Sequence, residues 1–293
     1  MPKHPLAEVF GFPPDNLSPE ASRIRQYRLC PYNNRVPSCT KDKANDPLGV
    51  CSIHVGTDVA ITCPVRFRQD WLIAEHAAHF FFSANTHWTT LTEVRLDDRQ
   101  GKSAGNIDVV LVAYDDHGQI VDFGALEVQA VYISGNIRQP FERFMQDQTN
   151  LPTFDWSNQK LYPRPDYLSS SRKRLAPQLI YKGGILHSWG KKQAIALHRG
   201  FYQTLPSLPE VAPEIADVAW LIYDLKLDPQ NHRYHLTLTK TVYTLFKPAL
   251  DRITTPEPGS VETFIGYLQS KLDEKLEDGN PPDAPTLTDV IGL

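Results

Sequence analysis

Three side chains in the stretch GNIDVVLVAYDDHGQIVDFGALEVQAVYISGN, residues 105–136, are of types that could do chemistry together: Asp108, Glu127 and Gln129. The stretch reads as two apolar, β-branched strands joined by the turn sequence DDHG. Side chains alternate along a strand, so Glu127 and Gln129 leave the same face while Val128 leaves the other. If the hairpin pairs about its turn, Asp108 lies beside Glu127. Two adjacent carboxylates repel, which raises one pKa unless a cation settles between them. Mg²⁺ suits such a pair because it prefers hard oxygen ligands and keeps several waters. Held there, it can touch a phosphate oxygen, orient a water and offset the charge of an in-line displacement. The plainer alternative is a pair of solvated acids on an exposed hairpin. It fits poorly, because the strands are apolar enough to be buried, and an unpartnered buried carboxylate is costly.

A second set precedes the hairpin. Cys30, Cys39, Cys51 and Cys63 are the only cysteines of the chain. In a cytosolic protein two disulfides are disfavoured, and metal binding becomes the better reading. Four thiolates make a closed tetrahedral site for zinc or iron, which would order a loop-rich segment poor in apolar residues. The spacing lacks Cys-x2-Cys knuckles, and four unrelated buried cysteines remain the alternative.

The elements around these sets follow from pattern. SPEASRIRQY (18–27) reads as a helix capped by Ser18 with Pro19 in its first turn, and RQDWLIAEHAAHFFF (68–82) as a buried helix. HWTTLTEVRL reads as a further helix carrying Glu93, and IRQPFERFMQDQ (137–148) is helical after Pro140. YPRPDYLSSSRKR (162–174) reads as a polar loop, linker or lid, QLIYKGG as a strand, and WGKKQAIALHRGFYQTL as a helix. VAWLIYDLKLDPQNHRYHLTLTKTVYTLF forms a second hairpin turning at Asp228–Asn231. A final helix starts near Ser260 with a stripe of Phe264, Leu268, Leu272 and Leu276, before a frayed, proline-rich tail from Asn280. Intermixed strands and helices make an α/β protein. The organisation expected is an N-terminal four-cysteine segment, 1–68, and a core with C-terminal helix and tail, 69–293.

The 293 residues carry a net charge of −4, which argues at first sight against a nucleic-acid partner. The average conceals a pattern. Residues 131–200 hold eleven Lys and Arg against four Asp and Glu, +7, while residues 201–293 hold seven against fourteen, −7. A basic middle leaves room for a polyanion-binding face. No apolar run approaches the roughly 20 residues of a membrane span, and the start has no basic stretch with an apolar core behind it, so the expected location is cytoplasmic.

FGFP (10–13), CPYNN (30–34), GVCS (49–52), CPVRF (63–67), TEVRLDD (92–98), GKSAGNID (101–108) and GALEVQA (124–130) together resemble the NotI family of Type II restriction endonucleases. The resemblance spans most of the chain and is densest over 10–136. It implies the PD-(D/E)xK nuclease fold, a mixed central sheet flanked by helices. Asp108 then matches the first acid, Glu127 the second, and Glu93 the acid contributed by the preceding helix. Gln129 stands where the general motif has lysine, and Ile107 where it has proline. The resemblance also implies a structural iron, zinc being the other candidate, on Cys30, Cys39, Cys51 and Cys63. It further implies a homodimer that cuts double-stranded DNA at a palindromic, GGCC-containing site. A cognate DNA methyltransferase is expected in the same cell.

On this reading Asp108 and Glu127 hold a catalytic Mg²⁺, with the Val128 carbonyl as a further ligand. Glu93 holds a second ion or orients a metal-bound water, and Gln129 positions the attacking water. Arg138, Arg172, Lys173, Arg174, Lys191, Lys192 and Arg199 are the DNA-binding candidates, arginine being the usual bidentate reader of guanine. Arg35, Arg66 and Arg68, beside the cysteines, are further candidates. Two alternatives compete: a non-cleaving DNA-binding regulator built on the four-cysteine site, and a phosphoesterase of small substrates. The retained acids count against the first, and the extent of the basic segment counts against the second.

Overall fold

The computed structural model describes residues 4–33, 37–43, 45–149, 156 and 160–277. Near the start, β1 (Leu6–Val9) is buried at all four positions. It is followed by α1 (Pro19–Gln26), where Ser18 Oγ accepts from the Ala21 amide and Pro19 occupies the first turn. A small ribbon of β2 (Asp42–Lys43) and β3 (Asp46–Pro47) comes next. β4 (Val50–Val55) and β5 (Asp58–Ile61) then complete a three-stranded antiparallel sheet in the order β1-β4-β5.

A fully buried ion pair helps fasten that sheet to the rest. Glu8 on β1 is fully buried, and Arg66, on the 3-10 segment Pro64–Trp71, reaches its two oxygens at 2.9 and 3.0 Å. The same guanidinium donates to the Tyr234 carbonyl and lies 4.3 Å from the Tyr32 ring centre. Coulombic attraction to Glu8 is what raises the Arg66 pKa against the opposing effect of burial.

α2 (Leu72–Phe81) follows, with Ile73, Ala74, Ala77, Ala78, Phe80 and Phe81 turned inward. A meander of β6 (Trp88–Asp97), β7 (Ser103–Tyr114) and β8 (Ile120–Gln129) then forms half of the central sheet. From β8 the chain crosses over through β9 (Tyr132–Ser134), α3 (Arg138–Gln146) and β10 (Arg164–Asp166), which pairs with β9. A helical run ends the crossover: α4 (Tyr167–Ser170), a π-helical turn (Ser171–Leu175), α5 (Ala176–Gln178), a second π-helical turn (Leu179–Gly183) and α6 (Gly184–Ser188). The chain re-enters the sheet as β11 (Gln193–His198), parallel to β8. α7 (Arg199–Tyr202), β12 (Val218–Asp228), β13 (Arg233–Thr244) and α8 (Phe246–Thr254) complete it. The mixed sheet has the order β13-β12-β11-β8-β7-β6.

Both faces of the sheet are covered. Ala194 and Ala196 of β11 join Ile73, Ala77, Leu111 and Ala219 in one core. Ile195 and Leu197, pointing the other way, join Leu175, Leu179, Trp220 and Phe246 in a second. A strand buried on both faces is apolar without alternation, and AIAL is such a run.

This is the physical reason for the first correction to the sequence reading. The apolar run in WGKKQAIALHRGFYQTL favours helix by propensity, yet burial between β8 and β12 makes it a strand, with helix only at Arg199–Tyr202. QLIYKGG is helical rather than a strand. Gly183 does not break the helix, because its missing Cβ lets the Phe246 ring pack where a side chain would come within 2.7 Å. YPRPDYLSSSRKR is no loop: β10 occupies its first half and the helical run its second, with the Asp166 carboxylate accepting from the Ser169 amide. HWTTLTEVRL is β6, not a helix, as its threonines and alternating burial require.

The chain divides into two compact units, Met1–Thr254 and Thr255–Leu293. In the second, α9 (Val261–Glu277) starts where expected, with Ser260 Oγ accepting from the Thr263 amide. Phe264, Leu268 and Leu272 of its stripe are exposed, while the Leu276 side chain and the tail from Asn280 lie outside the described residues. Among the described residues no helix is long and apolar enough to cross a membrane.

Two substitutions test this packing. The Cβ of Gly124→Ala would overlap the Phe81 ring, so overpacking should cost about 1–3 kcal/mol in chemical denaturation. Arg66→Met strands a buried Glu8 and should cost about 3–5 kcal/mol by the same measurement.

Candidate active site

Antiparallel pairing sets the first geometry. β7 and β8 are in register at Val109–Leu126, and one step further places Asp108 opposite Glu127. Glu127 is 7% exposed and Asp108 half-buried. Asp108 is fixed from the sheet, its Oδ2 accepting from the Val128 amide at 2.7 Å. Burial above all, and then the Asp108 carboxylate, push the Glu127 carboxyl up to about 8. A counter-charge offsets part of that rise: Lys182 Nζ lies 2.6 Å from Glu127 Oε2 and 2.7 Å from the Asn106 carbonyl oxygen. The other oxygen, Glu127 Oε1, is buried and has no hydrogen-bond partner. With two carboxyls side by side, that oxygen can be served by a proton shared with Asp108 or by a cation.

Gln129 leaves the same face of β8 as Glu127, as alternation demands, and its amide donates to Gln178 Oε1 on α5. Glu127, Gln129, Gln178 and Lys182 line one small cavity of about 10 Å³.

Glu93 lies on β6 in the row of Asp108, since its neighbours Thr92 and Val94 face Val109 and Ile107. The structure turns it aside, however. Glu93 has φ +57, an unusual backbone for a non-glycine residue. Its side chain is 46% exposed and faces Arg68, 3.6 Å away. Among the described residues, no three His, Cys, Asp or Glu side chains stand in metal-holding geometry. The pair of acids is therefore the unit seen here, without Glu93 as a third ligand.

Cys30, Cys39, Cys51 and Cys63 converge on a second cavity of about 10 Å³, which Tyr32 and Arg66 also line. No disulfide joins them. Burial pushes the Cys30 thiol up to about 11 and raises Cys39, while Cys51 is raised by burial and then by Cys63. Thiols in such surroundings stay protonated unless a cation draws the protons off. The donor set suits a soft, tetrahedral metal. The side chains as they stand do not form a completed metal shell.

The basic candidates separate into two groups. Arg138 faces Asp42 and Asp46, Lys191 donates to Asp122, Lys192 donates to the Phe80 carbonyl, and Arg199 faces Asp224 and Asp58. Arg172, Lys173 and Arg174 are exposed on the first π-helical turn, with Arg174 stacked 3.9 Å from the Tyr132 ring centre. A cleft of about 670 Å³ runs from Cys63 past Ala130 and Val131, the two residues after the acid strand, and carries Lys41, Arg138 and Arg174. Arg66 is consumed by Glu8, Arg68 by Glu93 and Trp71, and Arg35 lies outside the described residues.

Sequence reasoning missed Lys182 and Gln178. Reading QLIYKGG as a strand hid both. The available signal was a lone lysine inside an apolar run, which burial would force to find an anion.

No match was found among curated proteins. The sequence profile described as Restriction endonuclease NotI matches residues 15–236, about three quarters of the 293-residue chain. With that match and the acid pair at the end of a buried hairpin, the chain belongs to the NotI restriction endonuclease family, and is a Type II restriction endonuclease.

Proposed function

We propose that the acid pair is the hydrolytic centre of a PD-(D/E)xK-type endonuclease that uses Mg²⁺ to cut both strands of a palindromic, GGCC-containing site, with CGGCCG as the candidate hexamer. The observation that carries this reading is the buried Glu127 Oε1, which has no partner and lies beside Asp108. Restriction endonucleases of this family are generally Mg²⁺-dependent. Two hard carboxylates fit that ion and leave coordination positions for waters and a phosphate oxygen.

Bound there, Mg²⁺ would lower the pKa of a water and neutralise charge on the phosphoryl oxygens. The chain's own residues do the rest. Asp108, fixed by the Val128 amide, and Glu127, fixed by Lys182, form the anionic cradle, and the Val128 carbonyl is a candidate further ligand. Gln129, held against Gln178, is placed to hydrogen-bond the attacking water. An amide takes no proton, so the proton passes to a phosphate oxygen or to bulk water. The water oxygen bonds to phosphorus as the bond to the 3′-oxygen breaks, and that oxygen takes a proton from solvent water, leaving a 5′-phosphate and a 3′-hydroxyl. Glu93 stays a candidate for orienting a water or a second ion, which would require it to leave Arg68.

DNA recognition is assigned to the exposed Arg172, Lys173 and Arg174 and to the cleft that carries Lys41 and Arg138. Arginines suit guanine-rich major grooves. A palindromic target calls for a twofold-symmetric dimer with one acid pair per strand. For the thiol cavity we propose a structural iron or zinc on Cys30, Cys39, Cys51 and Cys63, supported by the convergence of four thiols.

Three outcomes are expected. Digestion of GC-rich plasmid DNA with Mg²⁺ should give discrete fragments whose sequenced ends share one GGCC-containing site. Asp108→Ala should slow cutting by about a thousandfold or more, the several kcal/mol that a metal supplies. Unchanged cutting by Asp108→Ala would overturn the assignment. Elemental analysis of the purified protein should find about one iron or zinc per chain, lost in Cys51→Ser, as a closed four-thiolate site requires. A metal-free protein that folds and cuts normally would remove the thiol-site proposal.

A further inference from the structure

The next side chain after Glu127 on the same face of β8 is an uncharged amide, Gln129, so any fixed positive charge at this site must come from elsewhere in the chain. Lys182 is the group that arrives. It sits on the second π-helical turn of the crossover, 55 residues after Glu127, with only 4% of its side chain exposed. Its ammonium bonds Asn106 on β7 and Glu127 on β8, so one cation clamps the two strands that carry the acids. The clamp takes a single oxygen of Glu127, Oε2, and leaves Oε1 buried and unpartnered. Here one oxygen is held and the other is presented.

The backbone supports the same conclusion. π-helical turns are rare and concentrate at functional sites, and this one delivers Lys182 to the cavity that Gln129 and Gln178 also line.

We infer that Lys182 is the positioning residue of the active site, whose ammonium orients Glu127 and provides, from a helix, the positive charge that the strand position of Gln129 lacks. This rests on the reading of Asp108 and Glu127 as the hydrolytic pair. Because Gln129 and Lys182 face one cavity, the charge should be transferable between them.

The test compares the wild type, Lys182→Met, Lys182→Arg and the double variant Lys182→Met with Gln129→Lys, with Asp108→Ala as control. Cleavage is measured under single-turnover conditions across a Mg²⁺ titration, and DNA affinity with Ca²⁺ in place of Mg²⁺. Misorienting one carboxylate by about 1 Å should cost on the order of 100-fold in rate. Lys182→Met should therefore show that loss and a raised Mg²⁺ requirement, with DNA affinity held close to wild type. Lys182→Arg should recover part of the rate, and the double variant should recover at least about tenfold over Lys182→Met. Wild-type cleavage by Lys182→Met, or no recovery in either Lys182→Arg or the double variant, overturns the inference. If Lys182→Met melts early, the double variant decides: a rate restored while the melting temperature stays low supports positioning, and a rate that follows the melting temperature overturns it. Should Asp108→Ala cleave normally, the hydrolytic-pair reading itself falls, which is distinguishable from failure of Lys182 alone.

Discussion

Two carboxylates placed side by side under low exposure repel, and much of the first unit can be understood as the arrangement that makes this tolerable. Asp108 and Glu127 face each other because β7 and β8 pair in register. Both strands bury side chains on both faces, so the acids are held together by the same pairing that builds the core. The repulsion is relieved on one side by a backbone amide, Val128 to Asp108, and on the other by a lysine ammonium. It is left unrelieved at Glu127 Oε1. That residual deficit is what a divalent cation would fill.

The crossover between the parallel strands β8 and β11 follows from the same constraint. A parallel connection must travel the length of the sheet and return. Here its returning arm is a helical run, and that run carries both Gln178 and Lys182 to the end of the acid strand. Its π-helical turns set the direction of those side chains. The outer side of the same run carries Arg172, Lys173 and Arg174 to the surface. One segment thus serves the acids with its inner face and carries three basic groups on its outer face.

How much of this was legible in the sequence depended on whether local chemistry or distant packing decided the outcome. The acid hairpin was legible because β-branched runs flank a DDHG turn and alternation fixes which side chains share a face. The Ser18 cap and the second hairpin were legible for similar reasons. β11 was not, because alanines that favour helix in isolation are overruled by burial between two neighbouring strands. Glu93 was placed on a helix although its threonine-rich surroundings favour a strand, and its positive φ is a tertiary feature that no periodicity reveals. The partner of Glu127 was hidden for a further reason. Lys182 lies 55 residues away, and only the fold of the crossover joins them.

The central claim is that Asp108 and Glu127 form one cation site, with Lys182 holding the oxygen that the cation does not take. A crystal of the protein with cognate DNA and Mn²⁺, read by anomalous scattering, examines all of this at once. The account predicts a Mn²⁺ peak between an Asp108 carboxylate oxygen and Glu127 Oε1, with a phosphate oxygen in its shell and Lys182 still on Glu127 Oε2. A peak elsewhere, or a Lys182 that has swung off Glu127 when the metal enters, would contradict it.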